Sequence, residues 1–111
     1  MAQNFQRTLN RNITLLASPT ELRAATTTND AIIGVRCTNT SGVSVDITVY
    51  VKNSSTNYFI IKAAPIPTGG SLELIDGGSK VVLQNGDSVE AYASAATSVD
   101  IILSVVDSIS T

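Results

Sequence analysis

The clearest pattern in the chain lies between residues 43 and 52. Val43, Val45, Ile47, Val49 and Val51 alternate there with Ser44, Asp46, Thr48, Tyr50 and Lys52. A period of two predicts a β-strand with one face in the core and one in water. On a helix the same apolar residues would spread around the whole circumference. The same alternation recurs in 31–38, where Ile33, Val35 and Cys37 share one face and Ile32, Gly34 and Arg36 the other. Near the end, Val99, Ile101, Leu103 and Val105 alternate with Asp100, Ile102, Ser104 and Val106. This last strand is apolar on both sides in places, which predicts a central position or a subunit contact.

Shorter segments fill the gaps. Strands are predicted at Tyr58–Lys62, Ser71–Ile75, Lys80–Leu83 and Asp87–Ser94, the last with Val89, Ala91 and Ala93 inward. Turn residues separate them: Asn39-Thr40-Ser41-Gly42, Asn53 to Asn57, Thr68-Gly69-Gly70, Asp76-Gly77-Gly78-Ser79, Asn85-Gly86 and Ser94 to Thr97. The first of these predicts a hairpin between the strands on either side. Asn85-Gly86 is a favoured type I′ pair. Ala63-Ala64-Pro65-Ile66-Pro67 lacks the N–H groups for regular pairing, so it is expected at an edge or in an extended crossing. Ser18-Pro19-Thr20-Glu21-Leu22-Arg23 is compatible with one helical turn capped by Ser18.

Residues 1–11 show no clean period and carry isolated Phe5 and Leu9 among Gln, Asn and Arg. They are expected to form an extended N-terminal arm, with a short strand beginning near Asn12 and a domain spanning 12–111. An arm with spaced apolar anchors suits gripping a neighbouring subunit. The whole pattern predicts an all-β, single antiparallel β-sandwich or small barrel of about seven to nine short strands.

Composition agrees. Ser and Thr make up nearly a quarter of the 111 residues, and such β-branched and hydroxyl residues favour strands and turns over helices. Only 14% of the chain is charged and the net charge is -2. The seven basic residues are scattered, with a small excess at Arg7, Arg11 and Arg23, so no phosphate-tracking surface is expected and no nucleic-acid partner. No apolar run is long enough to span a bilayer as a helix, and the start, Met1 to Arg7, has no apolar core of a signal peptide. Synthesis in the cytoplasm is expected, with no membrane partner. The three Asn-X-Ser/Thr sequons at Asn12, Asn39 and Asn53 are then expected to carry no glycan.

The candidate chemistry is thin. There is no histidine, which removes the commonest acid–base and zinc chemistry. The one cysteine, Cys37, cannot form an internal disulfide, and its apolar face predicts a buried core thiol. Glu73, Asp76, Asp87 and Glu90 would have to line one cleft to act as a hydrolytic pair, and a sugar cleft needs aromatics that this chain has few of. Asp76-Gly77-Gly78 reads as a turn ahead of a calcium loop. Tyr50, Tyr58 and Tyr92 are the residues a glycan- or receptor-binding patch would use. No enzyme activity, cofactor, metal or small-molecule substrate is expected.

One stretch carries a family likeness. It runs from Ile61 through Pro65-Ile66-Pro67-Thr68-Gly69 and Leu72-Glu73-Leu74 to Lys80-Val81-Val82-Leu83-Gln84-Asn85-Gly86-Asp87. It closes on Ser98-Val99-Asp100-Ile101-Ile102-Leu103-Ser104-Val105. This pattern, about the last fifty residues, resembles small virion structural proteins of tailed phages, especially marine and cyanobacterial ones. The resemblance implies a β-sandwich in a head, neck or tail assembly, and no catalytic residues. A capsid decoration protein, often a trimer that bridges capsomers, suits the size and the arm; a neck, collar or tail protein is the alternative. Homo-oligomerisation and contact with other virion proteins are therefore expected. The candidate subunit contacts are Phe5, Leu9, Ile102 and Val106.

Overall fold

The computed structural model describes residues 4–11, 13, 15, 18–25, 27, 29–74, 81–95 and 97–107. Their strands are β1 (Asn4–Asn10), β2 (Thr20–Arg23), β3 (Asp30–Asn39), β4 (Val45–Asn53), β5 (Thr56–Ile66), β6 (Ser71–Glu73), β7 (Val81–Leu83), β8 (Ser88–Ala93) and β9 (Val99–Asp107). No helix occurs among the described residues.

The strands form two antiparallel sheets. In sheet A the order is β1-β9-β3-β6, with β7 also on β3; in sheet B it is β2-β8-β4-β5. Only β4 and β5 are consecutive strands that pair with each other. Working outward from that hairpin, β3 pairs with β6 and β7, β2 with β8, and β1 with β9. Nested antiparallel pairs dealt alternately to two sheets are the jelly-roll arrangement. Here the partner of β3 is split in two: β6 pairs through Arg36↔Glu73, β7 through Ile32↔Val81.

The core between the sheets takes one face of each. Val45, Ile47 and Val49 of β4, Val89, Ala91 and Ala93 of β8, and Val99, Ile101, Leu103 and Val105 of β9 are all buried in it. β9 lies centrally in sheet A, between β1 and β3, as its two-sided apolar pattern predicts. Cys37 is fully buried, and burial, with a smaller contribution from Glu73, pushes its thiol up to about 12.

Several expectations are corrected. β3 and β4 do not form a hairpin; they lie in different sheets, and the Asn39–Val43 link turns a corner of the sandwich. The buried Asn39 side chain holds it. Nδ2 donates to the carbonyls of Val43 (2.7 Å) and Ile66 (2.9 Å), while Oδ1 accepts from Ser41 N (2.9 Å) and Ser41 Oγ (2.7 Å). In β3 a bulge between Ile32 and Gly34 puts Ile32, Val35 and Cys37 in the core and leaves Ile33 half-buried, which shifts the simple alternation. Val43 is 61% exposed, because β4 begins only at Val45. Of the expected helical turn at 18–23, residues 20–23 are instead the strand β2, held on β8. The Asn85-Gly86 turn has positive φ only at Gly86, so it is not type I′, and it leads from sheet A to sheet B. The hairpin geometry appears at Ser54 (φ 50°) and Ser55 (φ 68°) instead. Pro65 sits on β5, an edge strand, as its missing N–H requires. The turn expected at 76–79 lies outside the described residues.

Candidate assembly surface

Residues 4–10 of the expected arm form β1, paired in unbroken register with β9. That register brings the four candidate contacts together. Phe5 stands opposite Val106 and Leu9 opposite Ile102. All four lie on the outer face of sheet A, since the intervening Ile101, Leu103 and Val105 fill the core. Phe5 is 78% exposed, Leu9 57% and Ile102 43%. For β1 the usual sandwich pattern is inverted: its apolar residues face outward, and Gln6, Thr8 and Asn10 alternate with them on the other side.

Three rows cross this face. Phe5, Val106, Ala31 and Val82 form an apolar row over four strands. Leu9, Ile102, Arg36 and Glu73 form another, and Arg7, Ser104 and Gly34 lie between them. Gly34 has no side chain, so Gly34, Ser104, Ile102, Arg36 and Glu73 line a shallow hollow. Glu73 closes its far wall. Its Oε1 is 3.4 Å from Arg36 Nε, and its Oε2 accepts from the Val35 N–H at 3.1 Å. The second bond satisfies a β3 donor near the break between β6 and β7. The Arg36–Glu73 pair is open to solvent and contributes at most about 1 kcal/mol. Val82, 56% exposed, belongs to the patch and was not among the expected contacts. In the sequence it is one of three consecutive apolar residues, Val81, Val82 and Leu83, which leave no polar face, and the row joining it to Phe5 exists only through β9 and β3.

Sheet B presents a different outer face. Tyr50 packs edge-on against Phe59 (5.6 Å between centroids, 65°) and lies 6.1 Å from Tyr92. Its hydroxyl donates to Glu90 Oε1 at 2.7 Å, and Lys62 Nζ caps Phe59 at 4.9 Å. Burial, together with the bond to Glu90, raises the Tyr50 hydroxyl above its ordinary value. Tyr50 is only 2% exposed and Thr48 3%, so the face predicted to be wet is covered at these positions. Tyr58 pairs with Val51, on the opposite face of β5 from Phe59. The three tyrosines therefore do not form one exposed patch.

The candidate carboxylates are also dispersed. Glu73 is on the outer face of sheet A and Glu90 on that of sheet B; Asp87 bonds Asn53 Nδ2 (2.6 Å) and Gln84 N (3.0 Å) in a turn. Asp76, with the Asp76-Gly77-Gly78 loop, lies outside the described residues. Among the described residues no group of three or more metal-ligating side chains occurs. No helix of the described chain is long and apolar enough to cross a membrane.

No protein-family model matches this chain, and no curated protein does. Solved structures share its fold. A capsid structure of the Helicobacter pylori bacteriophage KHP30 aligns with a TM-score of 0.59 at 7% identity, covering 96% of this chain and 88% of that one. The Bacillus endospore appendages, described as disulfide-linked pili, align at 0.52 and 13% identity, covering 98% and 88%. At these identities the likeness is one of fold, and it extends over nearly the whole chain.

Proposed function

We propose that this chain is a non-enzymatic structural subunit of a tailed-phage virion, most closely a capsid decoration protein, and that it assembles through the outer face of sheet A. The observation that carries this reading is the set of exposed Phe5, Leu9, Ile102 and Val82 on this face, joined through the half-buried Val106 and the buried Ala31. A monomeric domain rarely leaves such an apolar strip exposed on a sheet face, and β1 spends its apolar residues on that face alone. A subunit contact supplies the burial that the fold withholds.

Two further observations support it. The resemblance over the last fifty residues points to virion proteins, and the jelly roll is a fold of viral capsids. The fold is shared with a bacteriophage capsid and with a pilus, both of them assemblies. Fold alone never assigns function, so the surface carries the argument. The three-fold grouping of copies rests on the family resemblance. The dispersed carboxylates and the buried Tyr50 favour neither a hydrolase nor a glycan-binding face.

The test is mass spectrometry of purified virions, followed by immunogold labelling with antibody raised against the recombinant chain. Label over the head supports capsid decoration. Label at the neck or tail keeps the structural role and moves its place. Absence of the polypeptide from virions refutes the proposal.

A further inference from the structure

Asn85-Gly86 lies in the link between β7 of sheet A and β8 of sheet B, away from the assembly surface. Of the eight asparagines in the sequence, only Asn85 is followed by glycine. Both residues are exposed. Among the described residues, neither the Asn85 carboxamide nor the Gly86 N–H takes a hydrogen bond. A side-chain carbon placed at Gly86 would meet nothing within 4 Å, so the space around this residue is open. The other described asparagines differ. Asn39 is buried with both amide donors used, and Asn53 gives its amide to Asp87. The rest precede residues whose side chains crowd the following nitrogen.

The turn is held shut from one side. Asp87 N donates to the Gln84 carbonyl at 3.0 Å, which closes a turn with positive φ at its third residue, Gly86 (93°). The Asp87 carboxylate clamps it. Oδ2 accepts from Gln84 N at 3.0 Å, and Oδ1 accepts from Asn53 Nδ2, at the end of β4, at 2.6 Å.

We propose that Asn85 is a site of spontaneous deamidation and that the Asp87 clamp sets its rate. The Gly86 nitrogen attacks Asn85 Cγ. That C–N bond forms, the Cγ–Nδ2 bond breaks, and the Gly86 proton leaves with Nδ2 as ammonia. The product is a five-membered succinimide. Water then opens it at either carbonyl, to aspartate or to isoaspartate, in which the main chain runs through the former side chain. Asparagine is chemically labile where the next nitrogen is unhindered, and glycine hinders it least. Attack requires that nitrogen to swing toward the Asn85 side chain about the Asn85 Cα–C bond. The Gln84–Asp87 bond has to open first, so local opening of the turn, and not global unfolding, gates the step. The change adds one negative charge to the net -2, two residues from Asp87. Isoaspartate also lengthens the link from sheet A to sheet B by one carbon. Both products work against the clamp, so the aged chain is less stable. The proposal stands whether or not the assembly reading does.

Ageing the full chain at pH 8, well below its melting temperature, tests it. Intact-mass spectrometry follows the gain of about 1 Da per event. An isoaspartate-specific methyltransferase reports the isomer. Resistance of the buried Cys37 to a thiol reagent shows that the chain stays folded throughout. The expected result is one slow conversion in the wild-type chain and none in Asn85→Gln over the same time. Asn53→Ala removes one bond of the clamp and should convert roughly 2- to 10-fold faster, as the loss of one hydrogen bond implies. A folded wild-type chain that stays unchanged while the same chain converts in urea overturns the proposal. So does a conversion that persists in Asn85→Gln, which places it at another asparagine. An Asn53→Ala rate equal to wild type, with Cys37 still protected, overturns the role of the clamp.

Discussion

Substituting Asn39 tests how the chain turns from one sheet to the other. The amide is 1% exposed and fully used: two donors on the carbonyls of Val43 and Ile66, two acceptor positions on the amide and hydroxyl of Ser41. Four neutral hydrogen bonds at about 0.5–1.5 kcal/mol each set an upper bound of about 6 kcal/mol. Asn39→Ala does not lose all of that. Ser41 and Val43 lie at the surface, and water replaces what they lose. The Ile66 carbonyl belongs to a fully buried residue, and its other side-chain donor is Ser44 Oγ at a long 3.4 Å. Leaving that carbonyl poorly partnered costs about 1–3 kcal/mol, so the expected loss for Ala is about 3 kcal/mol with the lost turn bonds included. Asn39→Asp has almost the same shape and keeps both acceptor bonds, but it points a carboxylate at two carbonyls. It is expected to cost more than Ala near neutral pH. The carboxylic acid form repels less and can donate to one carbonyl, so the folded pKa of the new group is raised. The excess penalty is present above that pKa and fades as the pH falls toward the ordinary aspartate value of about 4. Urea titrations from pH 4 to 8 read both effects as shifts of midpoint at constant slope. Asn39→Asp as stable as wild type at pH 7, or never worse than Asn39→Ala, would refute the assignment of both donors.

Substitutions at three further places probe other parts of the roll. Arg23 of β2 and Asp30 of β3 form a buried ion pair between the sheets, with side chains 10% and 1% exposed. Arg23→Met is expected to cost about 3–5 kcal/mol in urea unfolding, and adding Asp30→Leu should recover much of it, since a buried carboxylate that has lost its guanidinium is the larger part of the penalty. Ser55 holds φ 68° in the β4–β5 turn, so Ser55→Gly should stabilise by about 1 kcal/mol, seen as a rise in melting temperature by calorimetry. The Cys37 thiol, raised from 9.0 to about 12, keeps its proton in the fold and loses it more readily when unfolded. Its contribution is therefore complete below pH 9 and is lost as pH rises toward 12. Urea midpoints should be flat in this respect below pH 9 and fall above it, less steeply in Cys37→Val; the native thiol should resist a colorimetric thiol reagent at pH 8 and react on unfolding.

Much of this fold could be read from period two alone. The inward sets of β4, β8 and β9 fill the core as their alternation requires, because a half-buried strand has only two faces to offer. Pairing was far less legible. Asn39-Thr40-Ser41-Gly42 has the composition of a hairpin turn, yet it links two sheets. Turn chemistry fixes a reversal of direction, and whether the next strand pairs or crosses depends on residues elsewhere, here Ile66 and Gly70 holding Asn39. The bulge after Ile32 was equally silent, since it arises where β3 meets both β9 and β7. For the surface, Phe5, Leu9, Ile102 and Val106 stood out as apolar residues with no core position, but their meeting required the β1–β9 register. Val82 joined them through two further strands. The alternation puts Tyr50 on the wet face, and its cover comes from Phe59 and Tyr92, which only the pairing of β4 with β5 and β8 brings beside it.

The most direct test of assembly through sheet A is sedimentation velocity of the wild-type chain beside the Leu9→Lys/Ile102→Glu variant, over a wide range of concentration. Both positions are exposed and stand opposite each other, so the opposite charges pair across β1 and β9 and should leave the fold and its melting temperature intact. The account predicts that the wild-type chain sediments faster as concentration rises, while the variant stays at the monomer of 11.6 kDa. Wild type and variant sedimenting alike at every concentration would contradict it.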